Sequence, residues 1–232
     1  MAVHYAGSAD AAGEVVAEIR AMGRQAVALR ADLLVEDETE GLIGRASEGL
    51  GGALTVLVNN ASIFEYDTIT KATRESWDRH LTSNLRAPFV LTQRFAAQCP
   101  DLLADENGEP VAQGLIVNMI DQRVLKLTPE FMTYTLAKAA LWTLTQTSAQ
   151  ALAPHIRVNA IGPGPTEQGA RQTAEHFRKQ RQSTILQRGA SPADITMAMR
   201  FFLDSPTVTG QLICTDAGQH LAWKTPDIIG LE

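Results

Sequence analysis

The chain has 232 residues, 45% hydrophobic and 20% charged, which suffices for one sizeable core, so residues 1–232 are read as a single domain. Twenty Lys and Arg against 26 Asp and Glu give a formal charge of −6, which argues against the clustered basic surface that nucleic acid binding requires. Two cysteines without CxxC spacing, no N-terminal signal pattern and no apolar run near the roughly 18 residues of a membrane helix lead us to expect a reduced cytoplasmic protein that engages no membrane.

In chain order, AVHY (2–5) reads as a strand and 8–22 as a helix. QAVALRA (25–31) is a second strand, followed by Asp32 and Leu33 and a helix over 36–49. Gly49, Gly51 and Gly52 precede a strand, so they read as a helix C-cap and turn and not as a phosphate-cradling loop. LTVLVNN (54–60) runs from apolar residues into Asn59, Asn60, Ala61 and Ser62. A helical stretch covers 71–98, and DENGEP (105–110) is a surface turn. GLIVNMI (114–120) ends among Asn118 and Asp121 and precedes a helix over 131–153. IRVNAIG (156–162) runs into Pro163, Gly164, Pro165 and Thr166; helices over 166–182 and 192–204 and a strand QLICTDA (211–217) complete the chain. The basic run RKQR (178–181) reads as a solvated helix face, with an anion contact as the alternative.

Strands alternating with helices imply a parallel sheet wound on both faces, and several strands are apolar on successive residues, as double coverage demands. Polar residues gather where three strands end, the edge at which open parallel sheets hold ligands. On the helix that follows GLIVNMI, Tyr134 and Lys138 stand one turn apart on one face. An ammonium beside a phenol favours the phenolate and improves it as an acid or base near neutral pH. His80, His155, His176 and His220 have no metal-ligand spacing, so no metal site is expected.

NNA at 59–61, Asn84 within SNLRAPF, YTLAK at 134–138, RVNAIGPG at 157–164 and VTGQLICTDAG at 208–218 together resemble the short-chain dehydrogenase/reductase family along essentially the whole chain. The resemblance implies a Rossmann-type doubly wound α/β fold, a nicotinamide cofactor and hydride transfer to a carbonyl or imine carbon. By that resemblance Tyr134 is the proton donor, Lys138 holds the nicotinamide ribose, and Asn84 positions a water in a proton relay. Asp32, Leu33, Asn60, Ala61 and Ser62 would border the cofactor, with Pro163, Gly164 and Thr166 beside its nicotinamide and pyrophosphate. Most members carry a serine before the tyrosine, whereas this chain reads NMIDQRV. That segment is similar to the pteridine reductase branch, including dihydromonapterin-type reductases, in which the aspartate assists protonation of the pterin ring. Asp121, partly desolvated by Met119, Ile120 and Phe131, would then act with Tyr134; pairing with Arg123 or capping the next turn is the alternative.

At the end of AVHY no acid stands ready for a ribose hydroxyl, while His4 and Ser8 can donate to a phosphate, and HYxxS is likewise similar to NADP-dependent pteridine reductases. NADP is therefore the expected cofactor, with a small pterin-like molecule as substrate; another carbonyl, such as a keto-acyl or sugar compound, or a catalytically silent partner role are the alternatives. The helix over 131–153 pairs with its twin in the family, so a homodimer or homotetramer is expected. The family's first strand and glycine-rich loop have no counterpart before AVHY. That strand would lie between AVHY and LTVLVNN, so the β-α unit is expected to be missing from the sheet and the chain not to fold normally alone. A native product longer by about 25–35 residues, or a shortened inactive partner, are the two expected explanations.

Overall fold

Short runs of valine, leucine and isoleucine build the sheet, and amphipathic segments between them cover it. In the computed structural model, which describes residues 1–169 and 171–225, the chain opens with β1 (Ala2–Tyr5), α1 (Ala9–Ala21) and β2 (Val27–Arg30). The expected helix over 36–49 is two helices, α2 (Glu36–Glu40) and α3 (Leu42–Leu50), joined at Gly41. Gly51 then caps α3 in the left-handed conformation at φ 69°, where a side chain would be strained. β3 (Val56–Asn59) leads to α4 (Arg74–Leu81), a π-helical stretch over Thr82–Arg86, and α5 (Ala87–Gln98). The single helix expected over 71–98 thus starts later, where the Thr73 hydroxyl caps Ser76 N–H, and is widened around Asn84.

The polar 105–110 turn joins a two-stranded hairpin, β4 (Leu103–Ala104) with β5 (Pro110–Val111). β6 (Gly114–Met119), α6 (Met132–Leu152) and β7 (Ile156–Pro163) form the centre, followed by α7 (Ala174–Gln182), α8 (Pro192–Asp204) and β8 (Leu212–Thr215). The helix expected from 166 begins only at 174, because Gly164-Pro165 and a Thr173 cap keep the preceding residues out of it. Arg181, read as part of a solvated face, instead gathers a loop: its guanidinium donates to the carbonyls of Pro165 (2.9 Å), Thr166 (3.3 Å) and Ala190 (2.7 Å).

The order β3-β6-β7-β8 is parallel throughout, and β1 pairs β2 in parallel as a separate piece. β1 and β3 are not hydrogen-bonded to each other; a cleft of about 860 Å³ lies between them. It runs from Met1 and Leu54 at one end to Ser8 and Ser62 at the other, so the opening expected between AVHY and LTVLVNN is present as a strand-length slot. Around it the layers are nonetheless in place. Phe95, Ile116 and Val158, all fully buried, centre one core that also reaches Ala31 and Leu33 beyond the slot. Leu115, Val117, Ile161 and Phe202 form a second core beneath α8. Cys99 and Cys214 are free, and burial pushes the Cys214 thiol up to about 12.

Candidate active site

The C-terminal ends of β3, β6 and β7 deliver polar groups to one place, and α6 closes over it. Register brings Asn59 opposite Asn118. The Asn59 amide donates to Asn118 Oδ1 at 2.8 Å, and Asn118 Nδ2 donates to Thr145 Oγ1 at 2.9 Å, all three residues being buried. This chain fastens α6 to the sheet, so the side chains of its first two turns are held at a fixed height above β6. Thr145 escaped the sequence reading, since a helix threonine carries no signal for a partner 27 residues away.

From α6 the Tyr134 hydroxyl donates to Asp121 Oδ2 at 3.0 Å. The other oxygen of the same carboxylate, Oδ1, accepts the Arg123 N–H at 2.8 Å and caps the turn at Gln122–Val124. Asp121 thus contacts Tyr134 through one oxygen and caps the following turn through the other. Lys138, 2% exposed, donates to Met119 O at 2.8 Å, and its ammonium lies 5.7 Å from the centre of the Tyr134 ring. Burial brings the lysine down from 10.5 to about 8, against the pull of Asp121. Burial likewise raises Asp121, opposed by the Arg123 N–H bond and charge, the Tyr134 hydroxyl and Lys138.

Tyr134 departs from the expectation. Its phenol is raised well above 10, first by burial and then by the charge and hydrogen bond of Asp121, and Lys138 does not offset them. The buried carboxylate beside it outweighs the more distant ammonium, so the pair sits as a neutral phenol donating to a carboxyl that is itself prone to hold a proton. Asn84, the residue expected to position a relay water, has its side chain bound within the protein. Both ends of its amide are engaged by Ile63, whose N–H it accepts at 2.9 Å and whose carbonyl it meets at 2.8 Å, so the side chain clamps the loop that carries Ser62.

The nucleotide-side residues divide into two groups. His4, Ser8, Leu33, Asn60, Ala61 and Ser62 all line the cleft between β1 and β3. Ser8 stands at the N-cap of α1 without a side-chain cap bond, leaving the hydroxyl free at a helix N-terminus, whereas His4 Nε2 is already bonded to Ala31 O at 2.9 Å. Asp32 turns back on its own chain, accepting Leu34 N–H at 2.9 Å, and does not line the cleft. Pro163, Gly164 and Thr166 lie at the end of β7, outside it; the Thr166 hydroxyl donates to Gly164 O at 3.1 Å. Ser62 lies at the end of the cleft, and its hydroxyl works to lower the Tyr134 phenol against burial and Asp121. A nicotinamide dinucleotide fits this donor set: a free hydroxyl at a helix start, the unpartnered Asn59 Oδ1, and a buried lysine beside a phenol.

An aromatic wall, only partly foreseen, stands beside Tyr134. The Phe64 ring lies edge-on to Tyr134 with centroids 4.6 Å apart, and stacks on Phe131 at 4.3 Å. Arg171 lies over both phenylalanines and also donates to Phe64 O at 2.9 Å. Phe131, at φ 56°, adopts a left-handed backbone that a bulky residue rarely takes, and this aims its ring into the stack. Phe64 follows the NNAS run by two residues, and an aromatic amid that polar strand end was the available clue. Among the described residues no group of three metal-ligating side chains occurs.

The family model described as enoyl-(acyl carrier protein) reductase matches residues 1–220. The chain belongs to the short-chain dehydrogenase/reductase family. As an oxidoreductase of that family it is similar to a 3-oxoacyl-(acyl-carrier-protein) reductase of Synechocystis sp., 30% identical over 222 residues, 93% of this chain and 85% of the relative. Two solved structures are more similar in sequence. FolM alternative dihydrofolate reductase 1 from Brucella canis, complexed with NADP, is 42% identical with a TM-score of 0.89 over 98% of this chain and 86% of that one. Its counterpart from Brucella suis, also in complex with NADP, is 42% identical with a TM-score of 0.90, covering 98% and 87%. No described helix is long and apolar enough to cross a membrane.

Proposed function

We propose that this short-chain dehydrogenase/reductase reduces a pterin-like heterocycle with NADPH. The observation that carries the reading is the Tyr134 hydroxyl donating to Asp121 at 3.0 Å, where a serine would stand for a simple ketone. A hydroxyl polarises a carbonyl; a carboxyl held above its ordinary range can also carry a proton to a ring nitrogen. NADPH, when bound, supplies the hydride. Lys138 holds the ribose side and keeps an ammonium within reach, Tyr134 donates the proton, and Asp121 replaces it or binds the N–H groups of the heterocycle. Phe64 and Phe131 offer a flat apolar face to such a ring and exclude water from the phenol. The 42% identity to two alternative dihydrofolate reductases crystallised with NADP supports both the substrate class and the cofactor.

A second reading, a keto-acyl reductase, is supported by relatives of that name at 28–30% identity. The two differ in one assay: NADPH turnover on dihydrobiopterin against an acetoacetyl thioester, with fluorescence titration of NADPH alongside. Faster turnover of the thioester refutes the pterin assignment. With Tyr134→Phe, turnover falls at least 100-fold at unchanged NADPH affinity, within the usual range for a lost proton donor; undiminished turnover removes Tyr134 from the reaction. We further propose a cytoplasmic homo-oligomer, paired through the outer faces of α5 and α6, where Phe89 and Leu136 are 39% and 44% exposed.

A further inference from the structure

Beneath the aromatic wall lies a set of buried polar side chains that the chemistry above does not use. His80 on α4 is 0% exposed, Thr133 on α6 is 1% and Asp67 in the loop before α4 is 3%. Asp67 Oδ2 accepts from the hydroxyls of Ser76 (2.6 Å) and Thr133 (2.5 Å), and Oδ1 accepts the Thr133 N–H at 3.1 Å. Burial works against this charge, and the bonds from Ser76 and Thr133 overcome it, holding Asp67 below the ordinary carboxylate range. An ionised carboxylate only accepts, so the Thr133 hydroxyl directs its proton to Asp67 and receives one from His80 Nδ1, 2.7 Å away. On the far side of the ring, Nε2 lies 3.1 Å from the Glu65 N–H and accepts it. Each bond fixes the polarity of the next, and only a neutral imidazole with its proton on Nδ1 satisfies all of them.

The two ends of this relay are the places that matter for the reaction. Thr133 directly precedes Tyr134 at the start of α6, and Glu65 directly follows Phe64. Phe131 N–H is also bonded to Asp67 O at 2.9 Å, so both rings of the aromatic wall hang from the same loop. We propose that His80 is a positioning residue: through Thr133 and Glu65 its Nδ1–H tautomer sets the spacing between the phenol of Tyr134 and the ring of Phe64, and protonation of the imidazole releases it. Protonation would point a second N–H at the Glu65 N–H, two donors facing each other with no acceptor between them. The charged or titratable groups facing His80 are the Asp67 and Glu65 carboxylates from the loop, Arg79 on its own helix and the Tyr134 ring of α6, at 6.1 Å. Burial depresses the imidazole most, the two carboxylates oppose it, and the result lies below the ordinary 6.5, so release falls on the acid side of neutrality.

The assignment rests on Tyr134 as the reacting phenol, and its test separates the two ideas. Imidazole nitrogen and tyrosine ring resonances are followed by NMR from pH 8 to 5 in the wild type and in His80→Gln, which keeps a planar donor and acceptor but does not titrate. We expect a neutral Nδ1–H signature at pH 8, a His80 midpoint below 6.5, and Tyr134 ring signals that move with the same midpoint in the wild type and stay put in His80→Gln. In turnover, the wild type loses at least tenfold in kcat across that midpoint, His80→Gln lacks this acid limb, and His80→Leu loses at least tenfold in kcat at unchanged NADPH Kd. An Nε2–H tautomer, Tyr134 signals indifferent to the His80 titration, or the same acid limb in His80→Gln overturns the proposal. Undiminished turnover in Tyr134→Phe instead refutes the role of the phenol, whatever the state of His80.

Discussion

Lys138→Met should make this protein more stable and less active. The residue is 2% exposed, its ammonium has one hydrogen bond, to Met119 O at 2.8 Å, and burial lowers it to about 8 from the 10.5 of an ordinary lysine. A fall from 10.5 to about 8 corresponds, at about 1.4 kcal/mol per tenfold change in the equilibrium, to about 3 kcal/mol by which burial of the charge opposes folding. Methionine matches the unbranched stem without the charge and forgoes about 1 kcal/mol for the lost bond, leaving a net gain of about 2 kcal/mol at pH 7. For a chain of this size that raises Tm by about 4–8 °C. The pH dependence has a definite sign. Because the folded lysine releases its proton near 8 and the unfolded one near 10.5, the unfolded state binds more protons in that window, and wild-type stability rises with pH there. The advantage of Lys138→Met is thus complete below pH 8 and narrows by about 1 kcal/mol at pH 9. Thermal denaturation at pH 7 and pH 9, with turnover measured in parallel, checks both halves. A variant that melts at or below the wild type at pH 7, or a difference that does not shrink at pH 9, refutes the reasoning.

Asp121→Ser should reduce turnover on dihydrobiopterin by about 100-fold or more while sparing simple ketones, as side-by-side steady-state assays will show. Asn118→Leu strands the Asn59 amide that now donates to it at 2.8 Å, and should cost about 1–3 kcal/mol in urea unfolding with the slope unchanged. Gly164→Ala would place a methyl 2.7 Å from the backbone Cα of Asp216, which cannot step aside, and should lower the urea midpoint by the equivalent of about 1–3 kcal/mol.

The strands were legible because each is a short apolar run bounded by polar or glycine residues, and AVHY and the helix from Pro192 fall where the pattern placed them. The Tyr134–Lys138 pair was legible because helix periodicity alone sets it on one face, and Asp121 followed from its place at a strand end. What the pattern missed depends on distant partners. The break at Gly41 and the widening around Asn84 arise where helices meet the sheet and the Ile63 loop, and local propensity is silent about both. Arg181 looked like one charge among three, and only the folded chain shows that it serves the carbonyls of residues 165, 166 and 190. The Asp67–Thr133–His80 relay joins residues 53 and 66 positions apart, a separation at which composition carries no trace. The direction in which Tyr134 is displaced has a related cause: it depends first on how deeply the phenol is buried and then on the nearby Asp121 carboxylate, neither of which sequence spacing reveals.

The division of the sheet between β1 and β3 should be visible in deuterium uptake. Successive residues of a parallel strand address opposite neighbours, and Thr55 O accepts from Leu115 N, so the amides of Val56 and Val58 turn away from β6, toward solvent. The amides of Ala2 and His4 turn the same way, since Met1 O and Tyr5 O accept from Val27 and Ala31. Ordinarily the middle of such a sheet is the last region to exchange; in the chain of residues 1–232 labelling should begin at those four positions, within its interior, and reach β6 and β7 only when the whole molecule opens.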